Sequence, residues 1–377
     1  MAITKFGFPT TIQFGPGARK LVGDHLREAG VKRPIIVTDK GLAALPVMAD
    51  FRSGLGAGLD VAVFSDVYGN PTRAQVMEGA AAARAHRADC VIGFGGGAGL
   101  DVAKVVAVMT THAGDVMEYV WDHPKVRPID GDLPYFVALP TTSGTGSEVG
   151  RSSVVSEDDT HIKRIVFSPR LLAKAVFADP ELTLALPAHV TAATGMDAMT
   201  HNIESYLCPT YHPMCDGIAL EGMRIGARAL PVAVREPGNI QARGDMMMSS
   251  LMGAVAFQKD LGAVHACAHA LSTVADLHHG LANALMIEPV MQFNLEVARD
   301  KFAEMAHAVG AAGADDFVPW LKRFKASIGI PASLSAVKVT REQIPALVAV
   351  AEKDIAGQTN PRPCTRADFI RFYEQAM

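Results

Sequence analysis

Cys90-Val-Ile-Gly-Phe-Gly-Gly-Gly-Ala-Gly-Leu-Asp-Val-Ala-Lys104 is the stretch whose reading decides the fold. Its first residues, Cys90 to Phe94, read as a strand, and from Val102 to Met109 the composition is helical. A strand that passes through glycines into a helix leaves backbone amides pointing outward with the helix dipole behind them, where a phosphate can sit. The glycines match G-x-G-x-x-A, a weak motif by itself, and a tight turn without a ligand is the plain alternative.

The neighbouring segments repeat the pattern. Pro34 to Thr38, Leu59 to Phe64 and Tyr135 to Leu139 read as strands, and Pro71 to Arg87 as a helix, which together predict an α/β domain around a largely parallel sheet. After Pro187 strand-like runs nearly vanish, and Ala, Met, Leu and His recur at helical spacing, punctuated at Pro209, Pro213, Pro237, Gly238 and Pro331. The expected organisation is an α/β domain over 1–186 and an all-helical domain over 187–377.

Composition narrows the function classes. With 377 residues, 49% hydrophobic and 20% charged, the chain can bury substantial cores. A net charge of −4 with both signs interspersed excludes a phosphate-backbone stripe, so no nucleic-acid partner is expected. Neither a secretory leader nor a membrane span is read. Five cysteines without C-x-x-C spacing fit a reducing, cytoplasmic setting better than a disulfide framework.

A second polar segment, Pro140-Thr-Thr-Ser-Gly-Thr-Gly-Ser-Glu148, follows a strand and offers the small hydroxyls and glycines that a dinucleotide crevice needs. Asp39 ends a strand upstream of the glycine turn rather than following it. A carboxylate there can accept hydrogen bonds from a ribose and repel a 2′-phosphate, favouring NAD over NADP; a turn cap is the bland reading.

The helical half carries the chemistry. Asp197 and His201 are four residues apart, hence on one helix face, and His265 and His269 repeat that spacing. Of the 13 histidines, His265, His269, His278 and His279 fall in one short segment. Buried imidazoles need partners, so such a cluster is hard to justify by packing alone. A carboxylate with several neutral imidazoles suits iron(II) or zinc rather than magnesium or calcium.

Taken together, these motifs resemble the iron-containing (group III) alcohol dehydrogenase family over essentially the whole chain. The marks are Val-Thr-Asp-Lys at 37–40, Gly-Asn-Pro-Thr at 69–72, the glycine turn with Asp101 and Lys104, the Pro140–Glu148 segment, Asp179-Pro-Glu-Leu-Thr183 and the segments Gly195–Glu204, Val264–Leu271 and Leu277–Asn283. The resemblance implies that 1–186 is a dinucleotide-binding α/β domain and 187–377 a helical metal-binding domain, with metal ligands at Asp197, His201, His265 and His279 and with His269 close to nicotinamide and substrate. It also implies cofactor contacts at Asp39, Asn70, Gly96, Gly97, Ala98, Asp101, Thr141, Thr142 and Lys163. Ala98 departs from the serine common in the family. The one-residue-shorter Phe257–His265 stretch, the His278-His279 doublet and Asp354 to Pro363 are most similar to the 4-hydroxybutyrate dehydrogenase-like branch.

The implied activity is hydride transfer between a small primary alcohol or hydroxy acid and NAD, with one divalent metal, iron(II) first and zinc second. The partner is the alcohol or aldehyde, and the assembly a homodimer or larger homo-oligomer. Arg151 follows the polar segment and can pair with a substrate carboxylate, the alternative being an ordinary salt bridge. Two rival readings are a dehydroquinate synthase-like lyase using NAD and a metal, and a redox-silent NAD- or metal-binding protein.

Overall fold

The structure is a computed structural model that describes residues 7, 8 and 10–377. Two compact units emerge: an α/β unit whose described part runs from Thr10 to Thr142 and resumes over Gly146–Thr183, and a helical unit that takes Gly7, Phe8, Ser143–Thr145 and Leu184–Met377.

The α/β unit begins with β1 (Thr11–Phe14) and α1 (Val22–Glu28), then β2 (Pro34–Asp39), the short α2 (Lys40–Ala43), α3 (Pro46–Gly54) and β3 (Ala62–Val67). It continues through α4 (Arg73–His86), β4 (Cys90–Gly95), α5 (Gly97–Thr111) and β5 (Tyr135–Pro140), then β6 (Ser152–Ser156), β7 (Lys163–Phe167) and β8 (Ala175–Ala178). Six strands form one sheet in the order β1-β8-β5-β4-β2-β3, every neighbouring pair parallel, while β6 and β7 make a separate antiparallel ribbon. β4 is buried along its whole length and β2 and β5 nearly so, as strands covered by helices on both faces must be, while the edge strand β1 is largely exposed.

The strand read at Leu59 to Phe64 lies further on, at Ala62–Val67. Its ladder with β2 starts at Ile35 opposite Ala62, next to Pro34, which has no N–H to donate. β1, β6, β7 and β8 were not read from sequence. Ala175-Val-Phe-Ala178 is too short to carry a period, and its strand character comes from pairing with β1 and β5.

The helical unit comprises α6 (Ala188–Leu207), α7 (Pro213–Arg235), α8 (Ile240–Ala256), α9 (Ala263–Ala275) and α10 (His279–Leu295). α11 (Arg299–Val309), α12 (Phe317–Ser327), α13 (Ile344–Ala351) and α14 (Arg366–Ala376) complete it. α6 starts after Pro187 and ends before Cys208-Pro209, where proline cannot continue the helix. Nearly all of α6 from Thr191 to Leu207 is buried, so it is the central rod against which α7, α8 and α10 pack. Gly253 makes that approach possible, since a Cβ there would stand 2.8 Å from Asn202 Nδ2 and 3.0 Å from His201 Cβ. Among the described residues no helix is long and apolar enough to cross a membrane.

Candidate metal centre

Three helices deliver the ligand candidates. Asp197 and His201 sit one turn apart on α6, His265 is in the first turn of α9, and His279 is the first residue of α10. Nε2 of His279, His265 and His201 lie 3.4, 3.7 and 3.8 Å from one atom, Asp197 Oδ1. Donor atoms of Asp197, His265 and His279 fall within 4.8 Å of one another, the spacing of groups that share a cation. His201 joins through Asp197 and by stacking on His265, with centroids 4.7 Å apart and planes 17° from parallel. Asp197, His201 and His265 are buried, while the His279 side chain is 26% exposed and leaves the cluster an open side.

The electrostatics favour a positive charge there. Burial disfavours the Asp197 carboxylate, but the imidazoles of His201, His279 and His265 outweigh it and hold its pKa well below the usual range. Burial brings His201 down to about 4. Burial also opposes charge on His265, yet the neighbouring carboxylates of Asp197 and Glu204 prevail and raise it to about 9. One carboxylate oxygen and three imidazole nitrogens, mostly dry, make a donor set matched to a borderline divalent ion.

His269 takes a different direction from His265 despite lying one turn along α9. Its Nδ1 pairs with Asp354 Oδ2 at 2.8 Å, and its ring stacks on His279, centroids 5.2 Å apart. His278, the N-cap of α10, is exposed.

In the α/β unit, the ends of β5, β4 and β2 lie side by side, so Thr141, Gly96 and Asp39 gather at the C-terminal edge of the sheet. Gly96 precedes α5 with no side-chain cap, and Gly96, Gly97 and Ala98 are partly exposed. A Cβ at Gly96 would stand 3.1 Å from Thr142 Cγ2, so glycine lets the turn pass close to that threonine. Asp39 Oδ1 accepts from Leu42 N at 2.7 Å as a cap, while Oδ2 faces Gly95. Thr141 is buried and donates its N–H to Gly95 O.

Asn70 is exposed and Lys163 half-buried; Ser156 pairs with Lys163 in the ribbon and donates its N–H to the O of Pro71, the residue after Asn70. Asp101 spends its carboxylate inside the protein, accepting from Ser147 Oγ at 2.6 Å and Val154 N at 3.0 Å. Beside it, buried Lys104 donates to Ser147 Oγ and Ser152 O, and burial pushes Glu148 up to about 7. Arg151 is half-buried, and no hydrogen bond or ion pair of its guanidinium occurs among the described residues.

Three polar residues of the centre were not singled out in the sequence. Glu204 accepts from His265 Nδ1 at 2.6 Å, Asp354 orients His269, and Asn283 Nδ2 donates to Asp197 Oδ1 at 2.8 Å. Two carried a local signal: Glu204 is three residues after His201, and Asn283 four after His279, each on the ligand face of its helix. Asp354 stood only in the Asp354–Pro363 stretch that marks the branch resemblance, and its contact with His269 was not legible because the two are 85 residues apart in the chain.

The family described as iron-containing alcohol dehydrogenase matches residues 9–180, and its C-terminal counterpart, Fe-containing alcohol dehydrogenase family, C-terminal, matches 191–377. The chain is 37% identical to a 4-hydroxybutyrate dehydrogenase of Cupriavidus necator, with 98% of each chain covered. It is 32% identical to an NAD-dependent methanol dehydrogenase of Bacillus methanolicus, with both chains fully covered. Among solved structures, a 1,3-propanediol oxidoreductase superposes with a TM-score of 0.95 at 34% identity, over 100% of both chains.

Proposed function

The chain belongs to the iron-containing alcohol dehydrogenase family and is an oxidoreductase acting on alcohols; from that premise we propose that it interconverts a small primary alcohol or hydroxy acid and its aldehyde with NAD, at a divalent cation held by Asp197, His201, His265 and His279. The observation that carries this is the convergence of imidazole nitrogens on Asp197 Oδ1. Iron(II) is the first candidate and zinc the second, since both accept these donors. When bound, such a cation polarises the alcohol oxygen and eases loss of its proton, while the nicotinamide accepts the hydride.

The chain's own groups orient and hold. Asp354 keeps His269 with Nδ1–H donated, so Nε2 is the atom free to accept a hydrogen bond from substrate or cofactor ribose. Gly96, Gly97 and Ala98 at the start of α5 offer amides to the cofactor phosphates, with Thr141, Thr142, Asn70 and Lys163 as further contacts. Asp101 supports that turn by fixing Ser147 and Val154. The Asp39 carboxylate at the edge of the turn favours NAD over NADP. We place the enzyme in the cytoplasm as a homodimer or larger homo-oligomer, in keeping with five free thiols.

The test is reduction of NAD, followed by nicotinamide absorbance, with a panel of alcohols, diols and hydroxy acids. Runs are made before chelation, after it, and after iron or zinc is restored. Chelator-sensitive, metal-restored turnover is expected. Full-speed turnover after exhaustive removal of metal overturns the reading, and binding of NAD and metal without turnover of any alcohol favours the redox-silent rival. The relatives named above are dehydrogenases, which favours alcohol oxidation over the lyase.

A further inference from the structure

We infer that Glu204 is the positioning residue of the metal centre: its carboxylate reaches from α6 to α9 and fixes the His265 ring with Nδ1–H facing Glu204 and the Nε2 lone pair facing Asp197. The inference rests on the reading that Asp197 and His265 share a cation.

Glu204 lies seven residues after Asp197 and three after His201, on the same face of α6. It is 2% exposed, and a carboxylate so deep is costly unless donors surround it. They do: Oε1 accepts from Val264 N at 2.7 Å, and Oε2 from His265 N at 3.2 Å and His265 Nδ1 at 2.6 Å. Its one ion-pair partner among the described residues is His265 itself, with no Lys or Arg beside it.

α9 opens at Gly262, which supplies no side-chain cap, so its first amides are satisfied from outside by Glu204 and, at Ala263 N, by Asn360 Oδ1. Capping α9 accounts for the two amide contacts. It does not account for the third and shortest contact, to the imidazole. An acceptor that cannot donate, held on Nδ1, permits a single arrangement of the neutral ring, with the proton on Nδ1 and the lone pair on Nε2. The same contact sets the plane of the ring, and a carboxylate partner makes the opposite nitrogen a better donor to a metal. Because Asp197, His201 and Glu204 share one rigid helix, α6 carries two of the proposed ligands and the group that aims a third.

Cobalt(II) is the probe, with chelator competition giving affinity and the visible absorption bands reporting the ligand field. Glu204→Gln keeps the shape and one acceptor oxygen but loses the charge. It is expected to weaken cobalt binding by about 10- to 100-fold and to shift the bands. Asn360→Ala, which removes the neighbouring cap without touching His265, is expected to lower the melting temperature and leave cobalt affinity and bands as in the wild type. Wild type that takes up no cobalt overturns the metal reading, and this inference with it. Wild type that binds cobalt while Glu204→Gln binds it identically, with the same bands, overturns this inference alone. If Glu204→Gln does not fold, nitrogen-15 histidine spectra of the zinc-loaded wild type decide: a His265 resonance protonated at Nδ1 supports the assignment, and one protonated at Nε2 overturns it.

Discussion

Asn283 Nδ2 stands 2.8 Å from Asp197 Oδ1 and 3.3 Å from Nε2 of both His265 and His279, so one amide donor touches three of the proposed ligands. Asn283 is fully buried, one turn after His279 on α10. Replacing it by Ala removes a hydrogen bond to a buried carboxylate, a loss of about 1–3 kcal/mol when nothing else satisfies that group. A cation would satisfy it. Asn283→Ala should therefore lower the melting temperature of the chelated protein more than that of the zinc-loaded protein. Equal losses in both, measured by thermal scans, would remove the link between Asn283 and the ligand set.

Gly280→Ala should damage both folding and the metal centre. Alanine ordinarily strengthens a helix by about 1 kcal/mol over glycine. Here its Cβ would stand 2.2 Å from Ala193 O and 3.2 Å from Asp197 Cβ, and backbone cannot move aside cheaply. Separating α10 from α6 carries His279 away from Asp197. Urea unfolding should show a net loss of about 1–3 kcal/mol, with lower metal content after purification. A stabilised variant would show that the two helices part without cost.

Glu148 makes stability depend on pH. Burial raises its folded pKa from 4.5 to about 7, with Lys104 opposing, so the folded state holds the proton more tightly than the unfolded one. Between those values the folded state binds more protons, and this group's contribution to stability falls as pH rises. Glu148→Gln lacks that loss. It should match the wild type near pH 4.5 and exceed it above pH 7, by up to about 3 kcal/mol if the whole shift is expressed. Unfolding curves across this range that run parallel would show that Glu148 does not titrate there.

Arg151→Ala tests the choice of substrate. Its guanidinium has no carboxylate partner among the described residues, so it is free to take one from a ligand. The Michaelis constant for hydroxy acids should rise about tenfold or more while that for simple alcohols barely changes, in keeping with a charge-assisted bond of about 1.5–3 kcal/mol. Equal effects on both substrate classes would return Arg151 to a structural role.

Local patterns in the chain set out the strand, glycine turn and helix at Cys90–Lys104, the change to helices after Pro187, and the pairing of Asp197 with His201 one turn apart. Each of these depends on residues near one another in sequence, where hydrophobic period, turn chemistry and helix geometry act directly. The short strand β8 and the β6–β7 ribbon depend on partners far along the chain, and their residues carried no such signal.

The same boundary runs through the metal centre. His265 and His269 have the spacing of a ligand pair, and nothing in that spacing says that His265 turns to Asp197 Oδ1 while His269 turns to Asp354. That was decided by how α6, α9 and α10 cross, and Gly280 permits the α6–α10 approach by omitting a side chain where those two helices meet. Sequence determined which chemistry was present and on which helices. Tertiary packing determined which atoms face one another, because side chains distant in the chain meet only after the helices that carry them have found their contacts.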